Sequence, residues 1–134
     1  MVLSKPQRIF SALAAAFYVS AGCLHFLNTD PYLKIMPPYL PWHVAAVYVS
    51  GAAEIAGGIG MLVPALRRSA AWGLAALLVA VFPANIYMAT HNIQVTGQPI
   101  PSALLWLRLP LQGVLIWWVL WCTATLGHRP RRRR

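Results

Sequence analysis

The chain has 134 residues, 59% of them hydrophobic and only 10% charged, with a formal net charge of +9. A soluble domain carries about 25% charged residues, so this composition excludes an ordinary water-soluble globule. Aspartate and glutamate together number two, against 11 lysines and arginines, so the placement of each acid matters.

Four apolar stretches fill nearly the whole chain, at 9–28, 42–63, 69–90 and 102–126. Each has about 20–25 residues, enough to cross a hydrocarbon core of about 30 Å as a helix. The spacing predicts an all-α transmembrane four-helix bundle, antiparallel and up-down, as a single domain over 1–134.

The first stretch follows Lys5 and Arg8, as the apolar core of a signal peptide would. Ser20-Ala21-Gly22-Cys23 approaches a bacterial lipoprotein cleavage box, but Ser20 stands where that box has Leu or Val. Three further spans follow, so an uncleaved helix is expected. Its polar and small residues, Ser11, Tyr18, Gly22 and His25, recur at helical spacing. The following loop, D-P-Y-L-K-I-M-P-P-Y-L-P, is stiffened by Pro31, Pro37, Pro38 and Pro41. Its Tyr32, Leu33, Ile35, Met36, Tyr39 and Leu40 make it a candidate lid on the bundle; an interfacial connector is the simpler reading.

The second span carries Ser50, Gly51, Glu54 and Gly58 on one face, and its further small residues suit close helix packing. Its G-G-x-G run lies inside a hydrophobic helix with no strand before it, so it is no phosphate loop. The turn from Pro64 to Arg68 is short enough only for an antiparallel neighbour. The third span holds Pro83, Asn85 and Thr90, and the fourth holds Arg108, Pro110 and Gln112. Each proline frees a carbonyl four residues back, at Val79 and Trp106, so kinks are expected beside Asn85 and Arg108.

Orientation follows from the cations. Lys5, Arg8, Arg67, Arg68, Arg129 and Arg131 to Arg134 fall on one side, and Lys34 on the other. The positive-inside rule puts both termini in the cytoplasm of a bacterial inner membrane. Trp42, Trp72, Trp106 and Trp121 fall near span ends, as interfacial anchors do. The positive charge is this topology signal and needs no nucleic-acid partner; the basic tail suits anionic lipid.

Residues that are polar or charged within a span face protein or a cavity. By helical rise, His25, Asn85 and Arg108 lie roughly 5–10 Å below the outer boundary, and Glu54 roughly 18 Å below it as a floor. Arg108 stays charged in any protein environment, so it should seek Glu54, directly or through His25 or water, or else Asp30. Three readings of the cluster stand: a polar core fixing register, a ligand pocket opening outward, or a proton relay. No catalytic residues are assigned. No metal or haem site is expected, because His25, His43 and His91 lack ligand spacing and only His25 lies inside. Cys23 and Cys122 sit near opposite ends of the bundle, some 20 Å apart by helical rise, too far to bridge.

Several strings together resemble the DoxX family of small four-helix membrane proteins. They are G-C-L-H-F at 22–26, M-P-P-Y-L-P at 36–41, S-G-A-A-E-I-A-G-G-I-G-M-L-V-P at 50–64, R-R-S-A-A-W-G-L at 67–74, V-F-P-A-N-I-Y-M at 81–88 and R-L-P-L-Q at 108–112. The resemblance implies four spans and a polar centre at His25, Glu54, Asn85 and Arg108. The family takes its name from a thiosulfate:quinone oxidoreductase of an archaeal respiratory chain. Other members look like subunits of redox or oxidative-stress assemblies, and distant animal relatives act as receptor-assembly chaperones. This chain departs from the redox picture in lacking paired cysteines and a cofactor motif. The expected function is therefore non-catalytic binding of a small apolar molecule, a quinone or lipid. Arg108, Asn85 and His25 would hold its head, Tyr18 and Phe82 would pack on its body, and Glu54 would close the floor. The alternative is an accessory subunit or assembly factor of a membrane redox complex with a purely structural polar core.

Overall fold

A computed structural model describes residues 2–126. The basic tail, with its expected lipid contact, lies outside the described residues. Among the described residues the elements are α1 (Lys5–Leu27), α2 (Asp30–Lys34), α3 (His43–Leu62), α4 (Arg67–Ala80), α5 (Phe82–Thr90) and α6 (Ser102–Cys122). Helices α4 and α5 are two halves of one span. Four segments, Lys5–Leu27, His43–Leu62, Arg67–Thr90 and Ser102–Cys122, are long and apolar enough to cross a membrane. The chain is a multi-pass helical bundle.

Local chemistry sets the helix ends. Ser4 and Gln7 form a capping box at the start of α1, and Gln7 also donates to the Trp121 carbonyl at 3.1 Å, tying α1 to the end of α6. Arg67 donates to the Met61 carbonyl at 2.9 Å, filling an acceptor left open where α3 ends. Part of the charge read as a topology signal thus also caps a helix. Helix α6 stops at Cys122, short of the expected 126. There Ala124 turns left-handed (φ 54°), and the amides of Ala124 and Thr125 bond back to Trp121 and Leu120. That is a Schellman stop, with alanine where glycine is usual. Asn92 (φ 48°) ends α5 the same way.

Consecutive spans pack side by side, with α6 returning against α1 to close the ring, so α3 and α6 stand diagonally. The pairings run antiparallel: Gly22 meets Gly51 while Ala15 meets Gly58, and Gly57 meets Leu74 while Gly60 meets Ala70. Both faces of α3 are therefore spent inside one chain. One end of the bundle carries Lys5, Arg8, Arg67 and Arg68. The other, hereafter the loop end, carries the segments joining α1 to α3 and α5 to α6.

The two expected kinks part company. At Pro83 the third span is interrupted for one residue: α4 ends at Ala80 and α5 begins at Phe82, with the proline in its first turn and Val81 still bonded back to Leu77. At Pro110 the helix runs on unbroken. Larger apolar side chains meet in two clusters. One joins Tyr18, Met61, Leu74 and Val119 away from the loop end; the other joins Met88, Ala89 and Leu105 near it.

Candidate functional site

The loop after α1 does not merely connect. Asp30 and Pro31 start a helical turn, as an acid and a proline favour at a helix N-terminus. This α2 folds back over the bundle and lays Tyr32 on His25, ring centroids 3.9 Å apart and planes 33° apart. Thr29 helps hold it, donating to the His25 carbonyl at 2.9 Å. Tyr32 is thus a cover over the polar centre, which is the lid reading of this loop.

Beneath it, His25 is buried. Its Nδ1 lies 2.9 Å from the Val47 carbonyl and 3.1 Å from the Ser50 hydroxyl. A carbonyl can only accept, so Nδ1 carries the proton. The remaining nitrogen, Nε2, faces Glu54 Oε2 at 3.6 Å. The close approach of α1 and α3 makes the contact. Gly22 and Gly51 let the backbones meet, and a Cβ built on Gly51 would lie 2.6 Å from His25 Cβ.

Arg108 pairs with neither acid. Among the described residues the one acid–base contact within 4.0 Å is His25–Glu54. Arg108 instead points Nη1 at the Met88 sulfur, 3.6 Å away. The reason is the ring order: Glu54 is on α3, and Arg108 on the diagonal α6 packs against α5. The expected partnership with Glu54 or Asp30 is replaced by a cation on the wall of a recess. That recess, of about 210 Å³, is lined by Leu24, Asn28, Pro31, Tyr32, Ile35, Met88, Val95 and Arg108. Tyr32 is the shared wall, with His25 on one side and the recess on the other. Burial pushes its phenol up from the ordinary value; Glu54 adds to that and Arg108 opposes it. Tyr32 therefore stays a neutral hydrogen-bond donor.

The other candidate residues lie elsewhere. Asn85 donates to the Gln112 side chain at 3.1 Å, and Gln112 donates in turn to the Leu78 carbonyl. This chain of bonds supports the broken third span. Tyr18 is buried in the cluster with Met61 and Leu74, and Phe82 is half-buried at the start of α5. Neither lines the recess. The structure thus brings His25 and Glu54 together and places Arg108 at a recess; the sequence pattern offered Tyr32 only as part of a lid and left out Asn28 and Met88. The Asp-Pro step before Tyr32 was the available signal for α2.

The cover can be tested directly. Replacing Tyr32 with alanine is expected to expose His25 and to raise its rate of modification by diethylpyrocarbonate several-fold in the folded protein. An unchanged rate at that position, resolved by peptide mass spectrometry, would show that Tyr32 does not shield it.

No curated protein matches the chain, and no solved structure does. A family model described as a domain of unknown function matches residues 13–123, which takes in most of the first span, the other three whole and every residue of the site. The chain belongs to this family, the domain of unknown function DUF8561.

Proposed function

We propose that the bundle is a non-catalytic binding protein of the bacterial inner membrane, holding the polar head of a small amphiphile, a quinone or a lipid, in the recess at its loop end. One observation carries the reading. Arg108, permanently charged, has no acid within 4.0 Å among the described residues and stands on the wall of a recess otherwise lined largely by apolar side chains. Arg108 is exposed, so a molecule entering at the loop end can reach it, and an ionisable residue within a span is by default a candidate for function. The volume of about 210 Å³ is below the usual range for a whole drug-sized ligand. It suits a head group, with the tail passing half-exposed Leu24 into the bilayer. The DoxX resemblance supports the same setting, a four-span membrane protein with a polar centre, and names no ligand.

Mass spectrometry of an organic extract of the protein, purified in mild detergent, tests the reading. The expected result is one quinone or one defined lipid at close to one per chain, and its loss in Arg108→Leu. An extract matching bulk membrane lipid, or retention of the same molecule by a normally folded Arg108→Leu protein, would sink the assignment.

The loop end would face the periplasm, because Lys5, Arg8, Arg67 and Arg68 mark the opposite end as cytoplasmic. A reporter fused after Arg134 should accordingly be active only in its cytoplasmic form; activity of a periplasmic reporter there would invert the orientation.

A further inference from the structure

The recess says something about the charge of its occupant. Its three polar side chains are all donors or can donate: the Arg108 guanidinium, the Asn28 amide and the Tyr32 phenol. No carboxylate lines it among the described residues, and the two acids of the chain are both out of ion-pair reach of Arg108. The contact Arg108 does make, to the Met88 sulfur, is a weak acceptor that leaves its charge unmatched. Leu24, Pro31, Ile35, Met88 and Val95 supply the apolar wall. A neutral carbonyl head would accept a hydrogen bond here but bring no countercharge. An anionic head would bring both, and charge-assisted bonds to a guanidinium are roughly twice as strong as neutral ones.

We infer that the recess selects amphiphiles with an anionic head, a carboxylate or a phosphate on an acyl chain, over neutral ones. This rests on the binding function proposed above and narrows it. The head sits between Arg108 and the Tyr32 hydroxyl, with the Asn28 amide at the rim, and the chain leaves past Leu24. The same chemistry is offered by a free fatty acid and by an anionic phospholipid.

The test uses the full-length protein, delipidated in a neutral detergent, and radiolabelled palmitic acid retained through gel filtration. Competitors are dodecyl phosphate, methyl palmitate, a short-tailed benzoquinone, phosphatidylglycerol and phosphatidylcholine. Palmitate and dodecyl phosphate are expected to compete about tenfold or more better than methyl palmitate, as one added charge-assisted bond predicts. Arg108→Gln should erase that preference, while Arg108→Lys should keep most of it, which guards against loss of fold in the first variant. Competition by phosphatidylglycerol but not phosphatidylcholine would identify a phospholipid as the source of the head; competition by palmitate alone would identify a free fatty acid. Both outcomes support the inference. Methyl palmitate or the quinone matching palmitate would overturn the anionic selection while leaving the binding function standing. Retention of none of these molecules would overturn both.

Discussion

Replacing Gly51 with valine is expected to be the most damaging single substitution in the bundle. Helices α1 and α3 meet with almost nothing between them. A Cβ on Gly51 would lie 2.6 Å from His25 Cβ and 2.9 Å from the Gly22 carbonyl oxygen. Neither obstacle is the free end of a flexible side chain, so the helices must part. Overpacking a well-packed core costs about 1–3 kcal/mol and occasionally more, and a branched side chain against backbone belongs at the upper end. Parting the helices would also pull His25 from the Val47 carbonyl and from Glu54. A buried polar group stripped of its partners costs about 1–3 kcal/mol again. The measurement is the midpoint of unfolding as sodium dodecyl sulfate is titrated into mild-detergent micelles. Gly113→Ala is the control, because nothing lies within 4 Å of a Cβ there. It should leave the midpoint unchanged or raise it, since alanine favours a helix over glycine by about 0.5–1 kcal/mol. If Gly51→Val and Gly113→Ala behaved alike, the close approach of α1 and α3 would be wrong.

That contrast also marks what could be read from the residue order. The four spans could, because long apolar runs bounded by charge and proline have few alternatives in a membrane. The close packing of α3 could, because small residues recur along it. Which glycines face which neighbour could not: that depends on the rotation of each helix, and Gly51 and Gly57 turn toward different partners. The polar centre was legible in its members but not in its pairs. His25 and Glu54 meet because they face each other from adjacent spans that touch at Gly22 and Gly51. Arg108 misses Glu54 because ring order separates α6 from α3, and no local pattern encodes ring order. Short α2 went unread because five residues carry no periodicity, although Asp30-Pro31 is a helix-start signal. Pro83 was legible as a disturbance; that its helix is interrupted while the one at Pro110 runs on was not.

Gln112 bonds to residues on both sides of the interruption, Leu78 and Asn85, and removing it is the second large effect expected. The break between α4 and α5 interrupts the backbone ladder inside an apolar layer, where water cannot stand in for a lost bond. Gln112, 4% exposed, answers from the neighbouring α6: its amide nitrogen donates to the Leu78 carbonyl and its oxygen accepts from Asn85. Gln112→Leu keeps the volume close and strips two groups at once. Hydrogen bonds between membrane helices average about 0.6 kcal/mol, because the separated helices find other partners. The Leu78 carbonyl has fewer alternatives, since the break itself withdraws them. The expected loss is accordingly about 2 kcal/mol or more, nearer the cost of an unsatisfied buried group. Asn85→Leu should cost less, because Gln112 would still reach Leu78. In a Gln112→Leu background it should cost little further, so the double-mutant cycle should show coupling of about 0.5–2 kcal/mol. Strict additivity in the unfolding midpoints would mean that the two side chains act independently. The Asn85–Gln112 link would then not be what holds the broken span against α6. With coupling present, Asn85 belongs to the support of the fold.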